Sequence, residues 1–88
     1  MFNSVPIVLE AEFQRHVVIH LREAPITDDQ IIEEVNEDFV LLRATVPDSL
    51  EMRLWLRGFG DEVNVLKPDS LRSEFREMAK HMQQYYAE

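Results

Sequence analysis

The stretch Trp55-Leu56-Arg57-Gly58-Phe59-Gly60-Asp61-Glu62-Val63-Asn64-Val65-Leu66-Lys67-Pro68 decides the fold. It reads as the end of a helix, a glycine stop, a short strand and a proline that opens the next helix. Leu50, Leu54, Trp55 and Phe59 have the spacing of one apolar helix face. Gly58 and Gly60 offer positions that tolerate positive φ, which a helix C-terminus often needs. Val63 and Val65 alternate with Glu62 and Asn64, the pattern of a half-buried strand. Pro68-Asp69-Ser70 has the composition of a helix start.

Upstream of this stretch the period changes several times. Ile7, Leu9, Ala11 and Phe13 alternate with Val8, Glu10 and Glu12, which predicts a strand over Pro6–Phe13. Over Gln14–Ala24 the residues Phe13, Val17, His20, Leu21 and Ala24 form a helical stripe that Pro25 ends. The β-branched run Val17-Val18-Ile19 lowers helix propensity there. Ile26–Gln30 is a polar connection. Ile31–Val35 and Phe39–Val46 then read as a hairpin around Asn36-Glu37-Asp38. That turn has no glycine, so Asn36 or Asp38 is expected to supply any left-handed residue. Asp48 with Glu51 has the spacing of a capping box for a helix from about Ser49 to Arg57.

Beyond the deciding stretch, Leu71, Phe75, Met78, Met82 and Tyr85 recur at helical spacing from Asp69 to about Ala87. The order is β-α-β-β-α-β-α. It predicts an α+β, ferredoxin-like βαββαβ fold: an antiparallel sheet with two helices on one face and right-handed crossovers. The C-terminal helix is additional to that scheme.

At 88 residues the chain makes one small domain over 1–88, with residues 1–5 expected to be disordered or vector-derived. Charged residues are 30% and hydrophobic ones 45%, a soluble globular balance. The absence of cysteine excludes disulfides and thiolate metal sites. Apolar runs are too short to span a bilayer and Met1–Pro6 lacks signal-peptide features, so no membrane role and a cytoplasmic location are expected. A net charge of −8 argues against direct nucleic-acid binding by this chain alone, since phosphate contacts need a basic surface.

Few residues suggest chemistry. His16 and His20 lie four apart, with Glu12 and Glu23 as further potential ligands, but the zinc-helix motif needs a glutamate where Val17 stands. The expectation is no metal, no cofactor and no catalytic residue. Gly58-x-Gly60 follows a helix and precedes a strand, the reverse of the phosphate-binding order, and Asp61-Glu62 would repel an anion there. Arg53 and Arg57 form one cationic stripe; Arg72, Arg76 and Lys80 form another, with Glu74 and Glu77 able to offset it. Ser49 and Ser70 read as caps rather than nucleophiles. Interface candidates are Trp55, Phe59, Arg53, Arg57, Arg72, Arg76, Met78, Met82, Tyr85 and Tyr86, because Met and Tyr suit adaptable amphipathic contacts.

Four segments carry a family resemblance, one of them the tail that ends in Tyr85-Tyr86. Trp55 to Arg72 resembles the W-L-L-G-F-G-x-x-V-x-V-L-x-P-x-x-L-R signature of the C-terminal extension (WCX) of WYL-domain transcriptional regulators. His20 to Gln30 is similar to the family's H-L-x-E-x-P-[LI]-S/T-x-D-Q segment, and Leu42 to Asp48 to its hairpin strand. Arg57 departs from the pattern by standing where an apolar residue is usual.

The resemblance implies a bacterial regulator with an N-terminal helix-turn-helix and a central WYL domain. Met1 is then expected to start an excised piece of it. The implied role is regulatory and oligomerising, coupling subunit arrangement or signal to DNA binding. The implied partners are a second copy and the WYL domain of the same chain, with DNA reached only through the helix-turn-helix. A small-molecule or nucleic-acid effector fits this scheme. The alternative is a ferredoxin-like small-molecule sensor with its ligand at a subunit interface.

Overall fold

Alternation along the strands builds the sheet. In a computed structural model residues 5–87 are described; the expectation of disorder over 1–5 concerns residues that lie, apart from Val5, outside them. The strands are β1 (Pro6–Gln14), β2 (Ile31–Glu34), β3 (Phe39–Pro47) and β4 (Val63–Lys67). They form one sheet in the order β2-β3-β1-β4, with every neighbouring pair antiparallel. Leu9 lies opposite Ala44, Ala11 opposite Leu42 and Phe13 opposite Val40. Val65 and Val63 extend the same row across β4, and Ile32 extends it across β2.

This register puts apolar side chains on one face, where Leu9, Ala11, Phe13, Val40, Leu42 and Val46 are buried. The other face carries Glu10, Glu12, Glu33, Arg43 and Asn64. An antiparallel sheet tolerates water on that side. Between Glu10 and Ala11 the pairing with β4 slips, leaving Leu66 as the extra residue of a bulge.

The helices differ more from expectation. β1 continues to Gln14, and a 3₁₀ turn (Arg15–Val17) precedes a short α1 (Val18–Glu23). Of the predicted stripe, Phe13 is buried but belongs to β1, Val17 and Leu21 are buried after it, and His20 and Ala24 are exposed. The β-branched run and the lack of a side-chain cap account for so short a helix.

α2 (Leu50–Arg57) starts one residue later than read, and its cap is Ser49, whose hydroxyl accepts the Met52 N–H at 3.1 Å. Asp48 is not a capping-box residue: its carboxylate is taken by Arg53. The buried face of α2 is also rotated from the expected one. Met52 and Leu56 are buried with Trp55 and Phe59 half-buried, while Leu50 and Leu54 are 49% and 53% exposed. Both pairs are four apart, so spacing alone does not separate them.

The hairpin turn needs no left-handed residue. Asn36 Oδ1 accepts the N–H groups of Asp38 and Phe39 at 2.8 and 2.9 Å, and no described non-glycine residue has positive φ. The polar connection is likewise built from side chains. Gln30 accepts from the Ile26 N–H and donates to the Leu21 carbonyl. Asp29, just before β2, accepts the Thr45 N–H; the Thr27 hydroxyl and then this bond hold its carboxyl below the usual range.

After α2 the chain turns through Gly58, helical at φ −62, and Gly60 at φ +59. Only Gly60 uses glycine's freedom. A 3₁₀ turn (Gly60–Glu62) then leads into β4. A Cβ at Gly60 would meet nothing within 4 Å, so substitution there has a purely conformational cost. Gly60→Ala is expected to destabilise by about 1–2 kcal/mol, and Gly60→Asn by less, since asparagine visits the left-handed region. Urea titration of the two variants against the parent chain measures the difference.

The Lys67–Pro68 peptide is cis, and α3 (Asp69–Tyr86) begins directly after it without a side-chain cap. Ser70 is therefore inside the first turn and is not a cap. Leu71 is the only residue of α3 buried in the core, with Phe75 packed at its border.

Candidate functional site

Edge strand β4 and the exposed flank of α3 create the site. β4 pairs with β1 on one side only, which leaves its outer backbone open to other strands. Arg72 closes part of that edge: its guanidinium donates to the Val65 carbonyl at 2.6 Å and to Asn64 Oδ1 at 2.9 Å. From there α3 leaves the core. Met82 is 46% exposed, Tyr85 79% and Tyr86 81%.

Between these elements lies a groove of about 630 Å³. Val63 and Val65 line it from β4. Phe75, Met78, Ala79, Met82 and Tyr86 line it from α3. Arg57, Gly60 and Asp61 contribute from the corner after α2, and Arg72 and Arg76 from the start of α3. Three arginines thus border one apolar groove on a chain of net charge −8. Arg57 and Arg76 make no hydrogen bond or ion pair among the described residues.

A second element fixes where α3 stands. Arg53, 5% exposed, donates to both Glu74 carboxylate oxygens at 2.7 and 2.9 Å. It also donates to Asp48 Oδ1 at 2.7 Å and the Ser49 carbonyl at 3.0 Å. This ties the first turn of α2 to the second turn of α3. Its hydrogen bonds to Glu74 raise the pKa of Arg53 and hold the Glu74 carboxyl below the usual range. Arg53 is therefore a buried clamp and not part of an exposed stripe with Arg57. On the other flank of α3, Lys80 pairs with Glu77.

Of the ten predicted interface residues, Arg57, Arg72, Arg76, Met78, Met82 and Tyr86 meet in the groove. Tyr85 is exposed beside it. Trp55 and Phe59 do not reach it; they stack edge-on with Phe13, with ring centroids 5.0–5.9 Å apart. Reading the sequence missed Arg72's hold on Val65 and the Arg53–Glu74 contact. The latter joins residues 21 apart in sequence, and no periodicity signals it.

The histidines do not converge. His16 Nε2 lies 2.8 Å from a Glu62 oxygen and 3.0 Å from Gln14 Oε1, and His20 is exposed on α1. Glu12 accepts from Asn64. Among the described residues no group of three His, Asp or Glu is placed to hold a metal ion. No described helix is long and apolar enough to cross a membrane.

Comparison with known proteins gives one match. The family model described as the WCX domain matches residues 6–83. Neither a curated protein nor a solved structure matches.

Proposed function

The chain belongs to the WCX domain family, and from that membership we propose that it is the regulatory and oligomerisation domain of a bacterial, cytoplasmic WYL-type transcriptional regulator. In this reading it performs no catalysis and carries no cofactor. It couples the arrangement of two subunits to DNA binding, and DNA is contacted by a helix-turn-helix elsewhere in the parent protein. Its partners are a second copy and the WYL domain of its own chain. The strand order β2-β3-β1-β4 is read as the ferredoxin-like arrangement, with α3 added beyond it.

The observation that carries this reading is the uncovered end of α3. Tyr85 and Tyr86 are about four-fifths exposed, and Met82 is about half exposed, on a helix anchored only through its first turns. Two large aromatics left in water suit a surface that another protein covers. A dimer joined there fixes the distance between DNA-reading domains, and operator half-sites demand a set spacing.

Sedimentation equilibrium on this chain tests the proposal. The mass is expected to rise with concentration from 10.4 kDa toward twice that value. Tyr85→Ser with Tyr86→Ser is expected to hold it at the monomer. A parent chain that stays monomeric throughout overturns the oligomerisation part.

The groove favours a second reading, that of a small-molecule sensor whose ligand biases the placement of α3. A ligand can do so only by binding one placement better than another.

A further inference from the structure

We propose that the groove between β4 and α3 is a binding site for a soluble apolar chain ending in one carboxylate. This deepens the sensor reading, yet the site stands by itself: occupancy is read on this chain, whereas coupling is read on the parent's DNA affinity.

Size separates the possible occupants. Small-ligand pockets run from about 300 to 1,000 Å³, and the groove measures about 630 Å³. A helix lying along α3 from Arg72 to Tyr86 would be about 21 Å long and 10 Å across, roughly 1,600 Å³. The groove could seat only one ridge of it. An added β-strand is opposed as well, because Arg72 already occupies the Val65 carbonyl on the open edge. A thin flexible chain can enter whole. Val63, Phe75, Met78 and Met82 offer it an apolar bed, and methionine side chains adjust to an irregular tail.

Charge selects the head group. The chain holds 17 Asp and Glu against 9 Lys and Arg, yet among the described residues the only carboxylate lining the groove is Asp61. Among the described residues neither Arg57 nor Arg76 makes an ion pair; Arg57 feels the charge of Glu74, but the oxygens of that carboxylate are held by Arg53. Guanidinium groups bind carboxylates through two parallel hydrogen bonds, stronger than neutral ones. A cationic or neutral head would gain nothing from them.

Isothermal titration calorimetry with dodecanoate, kept below its micelle concentration, provides the test. The expected result is saturable one-to-one binding, with dodecyltrimethylammonium at least about tenfold weaker. Arg57→Gln and Arg76→Gln are each expected to weaken dodecanoate about tenfold, the loss of one charge-assisted contact. Ala79→Trp, at an exposed groove position, is expected to abolish binding with an unchanged circular dichroism spectrum. No binding, equal affinity for both heads, or indifference to these substitutions overturns the proposal. So does capture by phosphatidylglycerol vesicles without binding of free dodecanoate, or preference for an acidic amphipathic helical peptide over dodecanoate.

Discussion

Replacing Phe13 with alanine lowers the unfolding free energy by about 3–5 kcal/mol. The ring is fully buried in the central strand β1, opposite Val40 and Val63. It is also where the sheet meets α2 and the turn after it, through edge-on contacts with Trp55 at 5.9 Å and Phe59 at 5.0 Å. Truncation removes the buried area, leaves a cavity and breaks two aromatic pairs, each contributing roughly 0.5–1.5 kcal/mol beyond area. A domain of this size has about 5–15 kcal/mol in total, so the variant is close to its threshold. Phe13→Leu keeps most of the volume and is expected to lose about half as much or less. The single tryptophan sits in this cluster, so its fluorescence during urea titration reports on the contact itself. A loss below about 1 kcal/mol for Phe13→Ala would mean that the sheet and α2 are held together elsewhere.

Arg53→Met is expected to cost about 2–3 kcal/mol at neutral pH. Removing one member of a fully buried ion pair typically costs about 3–5 kcal/mol. Here Asp48 and Glu74 keep 23% and 45% side-chain exposure, so the orphaned carboxylates rehydrate and the penalty falls below that range. What is lost is the forked contact with Glu74, the bond to Asp48 and the packing of the guanidinium stem.

The effect has a defined pH dependence. The folded-state carboxyl of Glu74 is depressed from its ordinary value of 4.5, chiefly by the Arg53 hydrogen bonds. A depressed carboxyl contributes stability that is full above its ordinary value and is lost as pH falls through the folded one. The gap between parent and Arg53→Met should therefore be constant from neutral pH down to about 4.5 and shrink below it. Denaturant titrations at several acidic pH values measure that gap. A gap that widens on acidification would contradict the assignment.

The strands were legible in the sequence because each keeps one wet face. Ile7 to Phe13 alternate cleanly with Val8, Glu10 and Glu12, and that alternation fixes the side toward the core. Where two answers share one spacing, the sequence did not choose. Leu50 and Leu54 compete with Met52 and Leu56, and Asp48 competes with the adjacent Ser49 for the cap. Packing against the sheet selected Met52 and Leu56, and Arg53 of the same helix took Asp48 and left the cap to Ser49. With Met52 and Leu56 facing inward, the Arg53 guanidinium meets Glu74.

The site was legible as residues and not as a place. The stripe of α3 was evident from Leu71, Phe75, Met78 and Met82, but periodicity cannot say how far along the helix its core contact runs. It ends near Phe75, and the remainder forms one wall of the groove. Arg57 and Arg76 come together there only because the chain turns at Gly60 and β4 returns α3 past the end of α2.

DNA affinity of the proposed WYL-type regulator, with this domain in place, tests the central claim most directly. The substitutions Tyr85→Ser and Tyr86→Ser remove exposed aromatics and leave the core untouched. The account predicts at least about tenfold weaker operator binding with urea stability unchanged. Unaltered operator binding, or a loss of domain stability in its place, would contradict it: α3 would then serve only its own fold.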